Sequence, residues 1–238
     1  MLFGMLKYHL LMLVREPASV FFGLGLPFLM MFVMGSGAED VSEVLNMAFP
    51  LYVMIAILVL TLLDSSLSHV HSRQIKFLRR LKMTPVKKSM YLFSDFITRL
   101  GVLLVFTVVF SLFNVVVFDL DLVGRNWFSI IGMIFLVYTM FYVLGMFIAN
   151  VFKNTRTASS FLNIGFWGLL LSGNFMLNAS SLPEILRLIT ENIPTVFATE
   201  LMQSAWLGMS LFDGHSFIIV FGIIIVFGAL TAKFFKYE

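Results

Sequence analysis

Residues 47–68 read MAFPLYVMIAILVLTLLDSSLS, and residues 73–88, a few positions further on, read RQIKFLRRLKMTPVKK. The first stretch carries no charge before Asp64 and matches the roughly 20 residues an α-helix needs to cross a bilayer core of roughly 30 Å. The second holds seven of the chain's sixteen Lys and Arg residues and no acid. An apolar run that ends in a basic cluster is the pattern of a membrane-crossing helix that emerges on the side where positive charge collects.

The same apolar signal recurs along the chain. The 238 residues are 60% hydrophobic and 12% charged, with mean hydropathy +0.98, where a soluble domain carries roughly 25% charge. Reading apolar runs against polar breaks predicts spans at 19–34, 47–68, 96–118, 127–151, 159–177 and 217–232. The expected fold is therefore an all-α membrane protein, a single transmembrane domain over residues 1–238 with six transmembrane helices. The chain has no Cys, which excludes disulfides, thiolate metal sites and cysteine nucleophiles. The N-terminal run has no small-residue cleavage site before Arg15 and Glu16, so it is not read as a signal peptide.

Six crossings put both termini on one side, and the basic residues say which. Fourteen of the sixteen Lys and Arg residues fall in segments on the side of the termini and of residues 73–88. The other side keeps Arg125 and Arg187 beside Glu39, Asp40, Glu43, Asp119, Asp121, Glu184, Glu191, Glu200 and Asp213. The positive-inside rule makes the termini and the basic segment cytoplasmic. Residues 1–17 mix Leu2, Phe3, Leu6, Leu10 and Leu13 with Lys7, His9 and Arg15. Too short and polar to span, they are expected to lie along the cytoplasmic interface, ended by Glu16 and Pro17; the competing reading extends the first span.

The basic segment, residues 72–90, has two faces. On a helical wheel Ile75, Phe77, Leu78 and Leu81 share one arc, and Arg73, Lys76, Arg79 and Arg80 share the other. Pro85 disfavours helical geometry at Thr84, so a helix of about three turns is expected to stop there and a second to begin near Val86. A helix like this rests on anionic lipid or inserts its Phe and Leu side chains into a groove on another protein.

Residues 178–215 are neither a span nor a plain loop. SLPEILRLITEN and TVFATELMQSAWLGM are helically periodic but short, broken by Pro194 and closed by Asp213-Gly214. They are expected to be short re-entrant or interfacial helices before the last span. Such backbone is tolerated at membrane depth where it is buried in protein or lines a cavity, so they either gate the outer end of a pathway or cover the ends of neighbouring spans.

Polar residues inside the spans are few. Asp64 is an intramembrane acid, and Asp95 and Arg99 stand i, i+4 at the start of the third span, suited to interfacial pairing and snorkelling. Asn114, Asn150, Asn163 and Asn174 fit hydrogen bonds between helices. His69 and His71, at i, i+2, face different ways on a helix and make a poor metal pair. The chain lacks GxxxxGK[ST], HExxH and GxSxG, so P-loop ATP hydrolysis, zinc proteolysis and serine-elbow chemistry are not expected of it.

Several of these stretches are similar to the ABC-2 family of ABC transporter permeases. Residues 78–86, LRRLKMTPV, resemble the family's cytoplasmic loop after the second span, although family members often carry an acidic residue and a Gly just before the basic pair, where this chain has residues 72–76, SRQIK. Residues 152–158, FKNTRTA, resemble its loop between spans four and five. Ser172-Gly173-Asn174-Phe175, Leu182-Pro183 and Pro194-Thr195 resemble its signature after the fifth span, while Leu201-Met202-Gln203 stands where the family often has a basic residue.

The resemblance implies a permease subunit without ATPase activity. Its short cytoplasmic coupling helix, with Ile75, Phe77, Leu78, Arg79, Arg80, Leu81 and Pro85, would dock on a separate ABC ATP-binding subunit. It implies no cofactor in this chain, with ATP and Mg on the partner, and a second permease chain as homodimer or related chain. Membrane lipids are the other expected partner, and nucleic acid is not one. An external gate is placed at Gly173, Pro183 and Pro194, and the expected cargo is a peptide, drug or lipid exported across a bacterial plasma membrane. The alternatives are a non-transporting sensor or immunity protein that binds a peptide at its outer face, and a membrane-embedded enzyme, which lacks an evident nucleophile and base.

Overall fold

The computed structural model describes residues 2–15, 21–37, 40–81, 83–84, 86–172, 192–209 and 215–234. Their regular structure is helical throughout, as apolar sequence in a bilayer demands: in hydrocarbon each backbone N–H and C=O has to be satisfied within its own segment. Helix α1 is Leu2–Val14. A π-helical turn, Phe21–Gly25, leads into α2, Leu26–Gly37. Helix α3, Val41–Leu58, runs through a second π-helical stretch, Val59–Ser65, into α4, Ser66–Gln74. Then follow α5 (Phe77–Leu81), α6 (Lys88–Phe118), α7 (Trp127–Val151), α8 (Thr155–Ser172), α9 (Pro194–Leu207) and α10 (His215–Phe234).

Local chemistry sets several ends. The Asp40 carboxylate accepts from the Glu43 N–H at 3.1 Å and caps α3, and the Asn126 side chain accepts from the Ser129 N–H at 3.2 Å and caps α7. Helix α9 stops where Gly208 turns left-handed, at φ 72°.

Among the described residues four helical units are long and apolar enough to cross a membrane: Val41–Gln74, Lys88–Phe118, Trp127–Val151 and His215–Lys233. They take up the second, third, fourth and sixth expected spans. The first expected span falls on the shorter apolar helix Gly23–Gly37. The fifth begins in α8, whose first half is polar, and continues into residues 173–177, outside the described residues. The second span is longer than its apolar run because α3, the π stretch and α4 form one 34-residue unit.

That unit is the central column, and α6, α7, α8 and α9 pack around it. Gly145 of α7 lets the π stretch and the start of α4 come close, since a Cβ there would lie 3.0 Å from Thr61 O and 2.5 Å from Ser66 Oγ. Phe28 of α2 meets Phe106, Phe110 and Phe113 of α6 edge-on at 5.1–5.7 Å. Phe49 lies between Trp206 and Phe110, with centroids 4.0 and 5.2 Å away. Helix α10 is peripheral and turns most of its surface outward, so its apolar sequence serves the surroundings rather than the core.

Candidate functional site

The basic segment is not the continuous three-turn helix its periodicity predicts. Helix α4 ends at Gln74, the chain turns at Ile75 and Lys76, and α5 is five residues long. Lys76 is left-handed at φ 57°, a conformation that costs a non-glycine residue roughly 1–2 kcal/mol. The turn persists because both residues before it are anchored. Arg73, placed by the helical wheel with the outward-facing cations, is instead buried. Its guanidinium donates to Ala149 O at 2.7 Å, to Asn150 O at 3.4 Å and to Phe152 O. These are carbonyls of the last turn and C-cap of α7, where a cation is favoured. Gln74 Oε1 accepts from the Thr155 N–H at 3.1 Å and its hydroxyl at 2.5 Å. The elbow is thus clamped to the α7–α8 junction.

The apolar face of the elbow turns inward. Leu78 is 1% exposed and packs with Met5 of α1 and Tyr91 of α6, flanked by Phe77, Leu81 and Val86. The Phe77 ring stacks on Tyr8 with centroids 5.0 Å apart. Ile75, Arg79, Arg80 and Met83 are exposed. The Thr84 hydroxyl donates to Leu81 O at 2.6 Å and closes α5. Of the seven expected docking residues, the structure therefore turns Ile75, Arg79 and Arg80 outward, keeps Phe77 and Leu81 half-buried and buries Leu78; Pro85 lies outside the described residues.

Beneath the elbow is a buried ionic network. Arg99 is fully buried. Its Nε donates to Asp64 Oδ2 at 2.6 Å, its Nη1 to Asp95, and its Nη2 to Ser68 Oγ at 3.2 Å. Ser65 Oγ donates to Asp95 Oδ2 at 2.7 Å. The i, i+4 pair of the sequence forms, but inside the bundle rather than snorkelling at an interface, because Asp64 from the π stretch supplies a second carboxylate. His9 of α1 completes the cluster. Its Nδ1 lies 3.1 Å from Asp95 Oδ1 without hydrogen-bond geometry, and burial, with Arg99 next in weight, depresses its pKa to about 3. His9 is neutral near pH 7 and ties α1 to α6 by packing, with its ring 5.0 Å from that of Tyr91.

His9, Ser65 and Ser68 are absent from the sequence-level site, because nothing local marks a single His on an amphipathic helix. The signal that was available is Asp64, Asp95 and Arg99, three charges in apolar runs. His69 is buried and His71 exposed, so the two rings point apart. Among the described residues no group of His, Asp or Glu is arranged to hold a metal ion.

At the far end of the bundle, Pro194 stands at the first position of α9, where its missing N–H costs nothing. Helix α9 buries Thr195, Ala198, Leu201, Met202 and Trp206 against α3, α7, α8 and α10. Gly173 and Pro183 lie outside the described residues, as does Asp213-Gly214. The neighbouring clasp is Arg125, over the Trp206 ring at 4.0 Å, donating to Trp206 O at 2.6 Å and to Asn46 Oδ1. Burial lowers the Arg125 pKa.

The described helices form a bundle with a short basic elbow clamped at one end. The family model for ABC-2 family transporter proteins matches residues 35–233, and the chain belongs to that family. It is the transmembrane component of an ABC transporter, a subunit that associates with an ATP-binding one. No curated protein matches the chain.

Proposed function

We propose that the chain is the permease of an ATP-driven exporter of an amphipathic or hydrophobic cargo, lying in a bacterial plasma membrane with both termini cytoplasmic. ATP and Mg reside on the ATP-binding partner, and a second permease, identical or related, completes the path. The observation that carries this reading is the elbow. Its inner face is committed to α1 and α6, its anchor residues grip the α7–α8 junction, and its outer face offers Ile75, Arg79, Arg80 and Met83. A push on that outer face reaches α7 and α8 through Arg73 and Gln74, and α6 and α1 through Leu78.

In this reading the partner grips the charged outer face, and Leu78 transmits force rather than making the contact. Helix α9, opening at Pro194 and packed on four other helices, is the gate at the outer end, together with the sequence around Gly173 and Pro183. The test is co-purification of a P-loop ATPase with the detergent-solubilised chain. Arg80→Glu is expected to weaken the association strongly while leaving thermal stability within about 0.5 kcal/mol, as exposed positions do. A folded chain that never carries an ATPase, or a charge-reversed one that binds it normally, would sink the docking assignment.

A further inference from the structure

We propose that the groove between α1, α2 and α6 binds one anionic phospholipid from the leaflet at the elbow end of the bundle, with its headgroup against Lys7 and one acyl chain along α6. The groove has a volume of about 760 Å³ and is open along one side. Phe3 and Leu10 of α1 form one wall and Phe28 of α2 another. The third runs along α6 to Val109. Gly101 leaves it open, since a Cβ there would meet nothing within 4 Å.

Depth and charge choose the occupant. From Ile97 to Val109 the α6 wall is roughly 18 Å long at roughly 1.5 Å per residue, close to the roughly 15 Å that is half of a 30 Å bilayer core. The groove is thus one leaflet deep. Its polar end is fixed by the neighbours of Lys7. Tyr8 stacks on Phe77 of the elbow, and His9 lies against Asp95 near the start of α6. Lys7 is exposed and lines the groove at that end, with Lys76 and Arg80 exposed on the adjoining elbow.

Asp95 is buried and already engaged by Arg99 and Ser65, so it does not compete for the Lys7 ammonium. Along the wall the Thr98 hydroxyl is satisfied by Ser94 O at 2.7 Å, and Val105 and Val109 are 65% and 49% exposed. A chain lying there needs no polar partner below its headgroup. A flat lipid-facing helix would accept any annular lipid, whereas a concave one with a cation at its mouth selects by headgroup charge.

The full chain would be placed in nanodiscs of equal phosphatidylglycerol and phosphatidylcholine, released, and examined by native mass spectrometry. The expected result is one phosphatidylglycerol retained several-fold in preference to phosphatidylcholine. Lys7→Glu should bring the two lipids to parity, and Gly101→Leu should lower retention of both, each variant eluting from size exclusion like the unmodified chain. Equal retention of the two lipids by the unmodified chain, no retained lipid, or an unaltered preference in Lys7→Glu would overturn the proposal. So would efficient cross-linking of Val105→Cys chains to each other, because a second copy would then fill the groove.

Discussion

Arg99, in the first half of α6, and Arg125, in the connection from α6 to α7, satisfy their guanidinium groups by opposite means. Arg99 is fully buried between two carboxylates and a serine drawn from α4, α6 and the π stretch. Arg125 is part-buried, stacked on Trp206 and bonded to a carbonyl and an amide. A guanidinium enclosed with full charges cannot lose one partner without leaving another uncompensated in low dielectric. One held by a ring face and neutral acceptors, with water near, can loosen at modest cost. The contrast accords with the proposal that the elbow end receives force and the other end opens.

The sharpest way to break this contrast is Arg99→Ala. It strands Asp64 and Asp95 and is expected to cost about 3–5 kcal/mol, read as a large fall in melting temperature or as failure to accumulate folded chain in detergent. Replacing all three residues with Leu should recover much of the loss. If Arg99→Ala melts like the unmodified chain, the network is not a structural keystone.

A smaller effect follows from His9. The folded chain holds it neutral down to about pH 3, while the unfolded chain takes up a proton near pH 6.5. The unfolded state binds more protons in that window, so this contribution to stability is complete above about pH 6.5 and is lost as pH falls toward 3. At pH 5 the loss is about 2 kcal/mol, at about 1.4 kcal/mol per pH unit. His9→Gln should flatten the fall in melting temperature between pH 7 and pH 5 relative to the unmodified chain. Parallel profiles would show that α1 is not held by a neutral histidine.

The smallest effect is expected at the other end. Arg125→Ala removes a cation–π contact and two hydrogen bonds at a part-buried site and should cost about 1 kcal/mol, because Asn46 keeps its bond from Trp206 Nε1 at 3.2 Å. A thermal melt showing a cost near that of Arg99→Ala would erase the distinction between the two ends.

Much of this was legible in the chain. Apolar length located the four helical units long and apolar enough to cross a membrane, and Asp64, Asp95 and Arg99 stood out as charges where hydrocarbon was expected. The elbow was located by its basic run, but its interior was not foreseen. A helical wheel assigns Arg73 by angle alone and cannot register the carbonyls at the C-terminus of α7 beside it. The wheel finds Phe77, Leu78 and Leu81 on one arc but wrongly adds Ile75, which is exposed because the chain turns at Ile75 and Lys76, and it does not say whether the arc meets a partner or the chain's own α1 and α6. Proline and periodicity located the start of α9, while the helix's burial depends on α3, α7, α8 and α10.

By itself the sequence determined that this is a helical membrane protein with a basic elbow, because hydrophobic length and the placement of charge act locally and are written residue by residue; its ABC-2 membership rests on the likeness of its motifs to the family. Only the tertiary structure decided what the charges do. The pairing of Arg99 with Asp64, the seating of His9 on Asp95 and the capture of the α7 carbonyls by Arg73 join helices far apart in the chain. A buried charge is stabilised by whatever packing brings within hydrogen-bond reach, which no local pattern encodes.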